Sequence, residues 1–483
     1  MYQSIVEAIV RAANTAPNVA AIIDRFGEIS YENYLDDIKK TAFVLKNYGI
    51  KAGDNIVITA SQDRKFLTAF HALQIIGAVP VPMERSTKPE RIAEIAALTS
   101  SPFCLTPAEL DFVKTINPQD LTLGNDELPI PESMFNEIAD ILFTTGTTGK
   151  SKGVVVTHTA DVAVAENVLY GVEMKKGNIE IIPMPLNHAF GLRRYFSSML
   201  NGSTVILLDG VINMKLLFES VEKYGATSMA MNPAALGILL KMARKKLAEI
   251  ADKIDYMQFG SAHLGKADKD AIRELMPNTR LYDFYGSTEA GCACIINFNS
   301  ADALDGCIGR ATRHSEFKII GDNGEFLTYG SGQKGRLICS GDMIMKEYYQ
   351  EPEITAETLK NGYVYSNDLC EIDTEGRIFY YGRCDDVINC GGNKIAPQDV
   401  EDCAKEYEGI SDCACVGETD KLLGEVPKLF VVAAKNYSEE ELLAFIAGKL
   451  EYYMVPKRVE LIDKIPKTFN GKPLRRLLLN KEK

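Results

Sequence analysis

Hydrophobic and polar positions along this chain switch period repeatedly, and the switches predict the fold before any motif is read. Apolar residues recur at helical spacing through residues 1–16. Residues 19–24 and 28–31 then read as strands about a turn at Phe26-Gly27, and 32–48 as a helix stopped by Gly49. A strand at 55–60, a helix at 65–76, a short buried strand at 78–82 and a helix at 89–99, opened by its proline, follow. Residues 118–137, rich in proline and acids, form a connector. Beyond it, strands at 180–185, 203–208, 227–231, 256–260 and 280–285 alternate with helices such as 213–224 and 233–246. Short apolar strands separated by helices are the pattern of a mostly parallel, doubly wound sheet, and the chain carries two such units.

From Gly306 the texture turns β-rich, with strands expected at 316–320, 324–328, 335–339 and 377–381. After Asp385 helices at 398–407 and 438–450 and strands at 414–417, 428–434 and 458–462 make a small α+β module. The expected class is therefore α/β. Residues 1–384 form a large N-terminal domain of two doubly wound α/β subdomains plus a β-rich subdomain, and residues 385–483 form a small C-terminal α+β domain.

Composition narrows the function. At 483 residues the chain exceeds one compact core. Its 53 basic against 66 acidic residues give −13, which argues against a general binder of nucleic acid or of an anionic membrane surface. No apolar run approaches the ~20 residues of a membrane span. Glu7 and Arg11 interrupt any signal-peptide core, so a cytoplasmic location is expected. Cys292-x-Cys294 and Cys413-x-Cys415 look like metal half-sites, but strand alternation puts each pair on one face and makes them buried thiols.

The candidate chemistry centres on residues 141–158. Two apolar, β-branched runs bracket Thr144-Thr145-Gly146-Thr147-Thr148-Gly149-Lys150-Ser151-Lys152-Gly153. Glycines let successive N–H groups converge, hydroxyls add donors and lysines add charge, which suits a phosphate. A P-loop would need glycine where Thr144 stands, and a helix rather than a strand after the loop, so that reading fails. A plain polar hairpin turn is the simpler alternative, but needs fewer such residues. Gly330-Ser331-Gly332-Gln333-Lys334-Gly335 spells a dinucleotide fingerprint, but a strand follows it, so it reads as a hairpin turn.

Ligands of open α/β sheets bind beyond the carboxyl ends of strands. There the chain has Asn187-His188-Ala189-Phe190-Gly191, Gly260-Ser261-Ala262-His263 and Tyr285-Gly286-Ser287-Thr288-Glu289. Each is weak alone, and the last could be a capped helix start. Together, facing one glycine–threonine loop, they define one candidate site.

These stretches resemble the adenylate-forming superfamily of acyl-CoA synthetases, luciferases and peptide-synthetase adenylation domains, over roughly residues 140–475. The loop is similar to Thr-Ser-Gly-Thr-Thr-Gly-x-Pro-Lys-Gly, with Thr145 for serine and Ser151 for proline, and the resemblance makes Lys152 its characteristic lysine. Tyr285-Gly286-Ser287-Thr288-Glu289 is similar to Tyr-Gly-x-Thr-Glu, implying Thr288 at phosphate and Glu289 at magnesium. Ser366-Asn367-Asp368 stands where the family reads Thr-Gly-Asp, which implies Asp368 on the ribose together with Arg383. Gly382-Arg383-Cys384-Asp385-Asp386 resembles the hinge motif, with Asp385 as pivot. Pro466-Lys467-Thr468-Phe469-Asn470-Gly471-Lys472 resembles the C-terminal motif, whose lysine is Lys472.

The resemblance implies further that Gly260, Ser261, Ala262, Tyr285 and Gly286 join the loop residues around the nucleotide. His188, Phe190, Met231 and Asn232, with Gly260 and Tyr285, line the acyl pocket. Arg193 and Arg194 either face solvent on a helix, the simpler reading, or hold a second substrate carboxylate. The small domain is implied to be mobile, swinging Gly391, Gly392 and Lys394 toward a pantetheine thiol after adenylation. ATP, Mg²⁺ and coenzyme A are the implied cofactors. The implied activity is AMP-forming acid:CoA ligation of a small carboxylic acid without an amino group. The alternatives are a free-standing enzyme that loads a carrier protein's phosphopantetheine and a non-catalytic nucleotide-binding relative. A homodimer is compatible with all three.

Overall fold

The computed structural model describes residues 2–111, 113–134, 136–144, 151–300, 303–433, 437–468 and 471–479. Thr145, Gly146, Thr147, Thr148 and Gly149 of the glycine–threonine loop lie outside the described residues.

Five strands run parallel in the spatial order Thr204–Leu207, Ile179–Ile182, Ser228–Met231, Tyr256–Phe259 and Arg280–Ser287. Ala20–Asp24 extends this sheet in parallel at one edge and folds back as a hairpin with Gly27–Ser30. At the other side Gly291–Asn297 and Cys307–Ala311 turn the sheet antiparallel, and it continues through Ile378–Arg383, Tyr363–Ile372, Gly335–Ser340 and Glu316–Ile320. The β-rich region is thus fused edge to edge with an α/β unit through the Cys294–Ala311 pairing. The second α/β unit is the parallel sheet Val79–Glu84, Asn55–Ala60, Phe103–Leu105 and Lys114–Ile116. Between the two lies a three-stranded antiparallel sheet of Glu347–Tyr348, Lys152–Thr157 and Ile138–Thr144, which carries the glycine–threonine loop. The small domain is built on Ile388–Cys390, Asn393–Ile395, Ile410–Asp420, Gly424–Ala433 and Arg458–Leu461, covered by helices Pro397–Lys405 and Glu439–Ala447.

The two faces of the large sheet feed separate cores, as the strand period of two requires. Ile182, Ala230 and Val205 belong to one; Ile181, Met229 and Met231 belong to the other. Two helices on the first face are buried all round, which makes them interior helices. Arg64–Ile76 starts at Asp63, whose carboxylate accepts from the N–H of Lys65 and Phe66, and ends at Gly77 with φ +90°. Ala189–Asn201 is buried from Phe190 onward.

Two expected elements differ. The strand at 324–328 reduces to a single bridge, Ile320 to Phe326. The helix at 233–246 breaks at Ala243 into Pro233–Met242 and Arg244–Ile250, a bend that keeps Leu236, Leu239, Leu247 and Ile250 in one core. Cys292, Cys294, Cys413 and Cys415 are buried, as alternation predicts. Among the described residues no helix is long and apolar enough to cross a membrane.

Candidate active site

Lys152 emerges where the glycine–threonine loop rejoins the sheet, opposite Thr144. Its ammonium lies over the ring of Tyr348, 5.0 Å from the centroid. The stretch Tyr285–Glu289 is not a helix start. Arg280–Ser287 continues as a strand and turns directly into Gly291–Asn297, with Ser287 Oγ accepting from the Ala290 N–H at 3.0 Å. Gly286 is obligatory in that turn, because a Cβ there would stand 2.1 Å from the Gly291 carbonyl oxygen. The turn delivers Glu289, whose Oε1 accepts from the Tyr348 hydroxyl at 2.8 Å and whose carbonyl accepts from the Met345 N–H at 2.7 Å.

Asp368 and Arg383 are cross-strand partners on Tyr363–Ile372 and Ile378–Arg383. The Tyr285 hydroxyl donates to Asp368, which brings the 285–289 motif against this pair. Asn367, which replaces a family glycine, leaves the local pairing intact: its carbonyl accepts from the Cys384 N–H at 2.8 Å. Ser366 donates to the Leu337 carbonyl and accepts from the Asp368 N–H. Burial pushes the Asp368 carboxyl up, while Tyr285, Arg383 and Lys472 pull it back down.

Lys472, from the small domain, completes the cluster. Burial lowers its pKa; the charges of Asp368 and Glu289 resist the shift and Arg383 adds to it. One ammonium thus sits within electrostatic reach of the proposed ribose carboxylate and of the proposed metal carboxylate. Asp385, at the joint, accepts from Arg383 Nε at 3.1 Å and is half-exposed.

The acyl side is partly assembled. Phe190 and Phe284 stack at 4.8 Å between centroids, and the Phe284 ring covers Gly260 so closely that a Cβ there would meet it at 1.8 Å. Ser261 follows with φ +69°, a left-handed conformation that serine adopts only where its surroundings impose it. His188 occupies the N-cap of Ala189–Asn201, its pKa lowered by burial against the opposing pull of Glu84.

Two expectations are corrected, for Met231 and for the arginine pair, while Asn232 takes on a capping role. Met231 has no exposed surface and points into the opposite core from Phe190, because neighbouring strand positions alternate faces. The Asn232 carboxamide oxygen is taken up by the Ala235 N–H as a helix cap at 2.8 Å. Arg193 and Arg194 neither face solvent nor stand free for a substrate carboxylate, being 5% and 1% exposed. Arg194 is held by Glu180, Gln258 and Tyr256. Arg193 stands 3.9 Å from Asp161 and reaches the Thr288 carbonyl at 3.5 Å. Beside it Asp140 and Asp161 are fully enclosed without hydrogen-bond donors among the described residues. Burial pushes Asp140 up to about 6 and raises Asp161, whose carboxyl the neighbouring Asp140 raises further.

Gly391 and Gly392 form the tight turn between Ile388–Cys390 and Asn393–Ile395, with φ +57° and +88°. Lys394 pairs with Asp322 at 3.6 Å, away from the cluster around Lys472. Sequence reading missed a second contact across the joint: His263 Nε2 and Asp402 Oδ2 lie 2.8 Å apart.

Lys152, Glu289, the paired Asp368 and Arg383, and Lys472 from the small domain are gathered on one side of the fold, the grouping expected of a nucleotide-dependent carboxyl-activating enzyme. The AMP-binding enzyme family profile matches residues 9–349 and that family's C-terminal domain matches residues 399–472. The chain belongs to the AMP-binding enzyme family. It is 30% identical over 475 residues to a 4-coumarate–CoA ligase of Vanilla planifolia, covering 89% of this chain and 84% of that one. It is 28% identical over 480 residues to a feruloyl-CoA synthase of an Amycolatopsis species, covering 96% of each. Its fold matches MatB of Rhodopseudomonas palustris with ATP bound, TM-score 0.89 and 20% identity over 99% of this chain and 98% of that one. It also matches o-succinylbenzoate CoA synthetase of Bacillus subtilis in complex with its acyl-adenylate, TM-score 0.86 and 23% identity over 98% and 97%.

Proposed function

We propose that this chain is an AMP-forming acid:CoA ligase that joins a carboxylate to the α-phosphate of ATP and then passes the acyl group to the thiol of coenzyme A. The observation that carries the reading is Lys472, brought by a second domain among Asp368, Arg383 and Glu289. A carboxylate is a poor acceptor for a thiol because hydroxide leaves badly. Exchange of that oxygen for AMP solves the problem, and pyrophosphate departs in the same step.

No general base is needed, since the attacking carboxylate is already ionised. What the reaction needs is positive charge where an anion approaches a polyanion. Lys472 bridges the acid and the α-phosphate. Lys152, Thr144 and the loop Thr145–Gly149 hold the departing pyrophosphate, and Thr288 supports it. Asp368 and Arg383 hold the ribose hydroxyls, with Tyr285 fixing the aspartate. The half-buried Glu289 carboxylate, anchored by Tyr348 and adjacent to the proposed phosphate site, suits a hard cation that keeps several of its waters. Mg²⁺ bound there neutralises phosphate charge. Gly260, Ser261, Ala262 and Gly286 shape the adenosine side.

Phe190 and Phe284 give the acid an apolar, aromatic wall, which suits an acid with an apolar body and no ammonium group. Asp385 is the pivot between residues 1–384 and 385–483. Rotation about it replaces Lys472 by Gly391, Gly392 and Lys394, which line the approach of the pantetheine thiol.

Pyrophosphate and AMP release across a panel of aryl and aliphatic acids tests the reading, with coenzyme A or a phosphopantetheinylated carrier protein as acceptor. The expected result is thioester on coenzyme A. Thioester only on the carrier would move the acceptor assignment, and ADP with phosphate would sink the adenylate chemistry.

A further inference from the structure

We propose that Tyr348 is a positioning residue that couples Glu289 to Lys152, setting the metal-side carboxylate and the phosphate-side lysine from one side chain. The inference rests on the roles proposed above for those two residues. The backbone of residues 345–349 is hydrogen-bonded to Glu289 at one end and to the residues just after Lys152 at the other. Tyr348 pairs with Val154 two residues after Lys152, the Tyr349 N–H donates to the Gly153 carbonyl at 2.7 Å, and the Met345 N–H donates to the Glu289 carbonyl at 2.7 Å. The Tyr348 N–H is itself fixed by Thr355 Oγ1 at 2.9 Å. Its ring is 5% exposed and packs on Val154, Val156 and Met345, so its rotamer is locked.

From that fixed base the side chain does two different things. Its hydroxyl donates to Glu289 Oε1 at 2.8 Å, which orients the carboxylate and leaves Oε2 and further lone pairs for a cation. Its ring face holds the Lys152 ammonium at 5.0 Å, and no carboxylate pairs with that lysine among the described residues. The choice of an aromatic face matters. A carboxylate partner would have to be displaced when the phosphates arrive, whereas a ring face can keep the ammonium in place while its N–H donors turn to the phosphates. A tyrosine serving only the core would need some hydroxyl partner, but not that carboxylate and not a cation on its face.

The test separates the two contacts by substitution, reading ATP binding calorimetrically at graded Mg²⁺ in the whole chain. Tyr348→Phe removes the hydroxyl and keeps the ring. The Mg²⁺ concentration needed for half-maximal ATP binding should rise roughly tenfold, as when an outer partner of a metal ligand is lost. ATP affinity at saturating Mg²⁺ and the unfolding midpoint should stay near the parent's. Tyr348→Leu removes both contacts, and ATP affinity should fall even at saturating Mg²⁺, by roughly three- to tenfold, about the loss of one cation–π contact. An unshifted Mg²⁺ dependence in Tyr348→Phe overturns the proposal, and so does equal behaviour of the two variants. Tyr348→Leu that does not fold leaves Tyr348→Phe to decide. Because binding is measured without an acid, a parent that binds MgATP but adenylates nothing would sink the ligase reading and leave this one standing.

Discussion

The small domain carries two lysines in opposite circumstances. Lys472 stands within electrostatic reach of Asp368, Glu289 and Arg383, and its pKa is lowered. Lys394 is 40% exposed beside a glycine turn and pairs loosely with Asp322, which is 91% exposed. The two lysines differ in their company: Lys472 faces the charges of the proposed nucleotide site, whereas Lys394 faces a single exposed carboxylate outside it. Under the proposed mechanism this is the arrangement expected for adenylation, with the face that bears Lys394 serving the second half-reaction.

Lys472→Ala breaks the contrast most severely. Adenylate formation should fall by roughly 10²–10³-fold, as for loss of one preorganised transition-state donor, while thioester formation from preformed acyl-adenylate is spared. Single-turnover rates of each half-reaction check this; equal loss in both would contradict the assignment.

The pH dependence comes next. Adenylation needs Lys472 protonated, and its pKa lies below the ordinary value of about 10.4. Raising the pH therefore removes the charge earlier than for a free lysine, and the alkaline decline of pyrophosphate exchange should come at lower pH than an unshifted lysine would give. Lys472→Arg, whose guanidinium stays charged, should have a lower maximum but lose that decline. A Lys472→Arg profile with the parent's alkaline fall would place the titrating group elsewhere.

Lys394→Ala should show the reverse pattern to Lys472→Ala at smaller scale. Thioester formation should slow roughly tenfold, near the lower end for one charge-assisted contact, with adenylation unchanged. The weakest perturbation is Asp322→Asn. An exposed pair at this distance is worth at most about 1 kcal/mol, so the balance of the two half-reactions should move less than about fivefold. A larger shift would mean that this pair, not the Lys472 cluster, holds the orientation.

Much of the family and fold was legible in the sequence because the proposed nucleotide residues fall in short local motifs. Tyr285 to Glu289, Asp368, Arg383 and Lys472 each announce themselves within a few residues. What escaped depends on distant partners. Tyr348 meets Glu289 across 59 residues and His263 meets Asp402 across 139, and nothing local marks either tyrosine or histidine. Arg193 and Arg194 were misread because a helix bearing two arginines looks amphipathic until Glu180 and Asp161 are found beneath it. Met231 was misplaced by one strand position, enough to change faces. Two α/β units were expected, but the hairpin Ala20–Asp24 and Gly27–Ser30 joins the sheet of the second, and that sheet's fusion to the β-rich region lies in backbone pairing, which periodicity does not report.

The central claim is that one small domain serves both half-reactions by rotating about Asp385. A hinge must absorb a large backbone rotation, and proline fixes φ near −65° and removes the N–H. Asp385→Pro leaves every proposed site residue in place, and Asp385→Ala removes only a half-exposed carboxylate from the joint. Both half-reactions of both variants, measured in single turnovers, test the claim most directly. The account predicts that Asp385→Pro adenylates near the parent rate and loses thioester formation, and that Asp385→Ala is mild in both. Adenylation as damaged by Asp385→Ala as by Lys472→Ala would give the aspartate a chemical role and contradict the account.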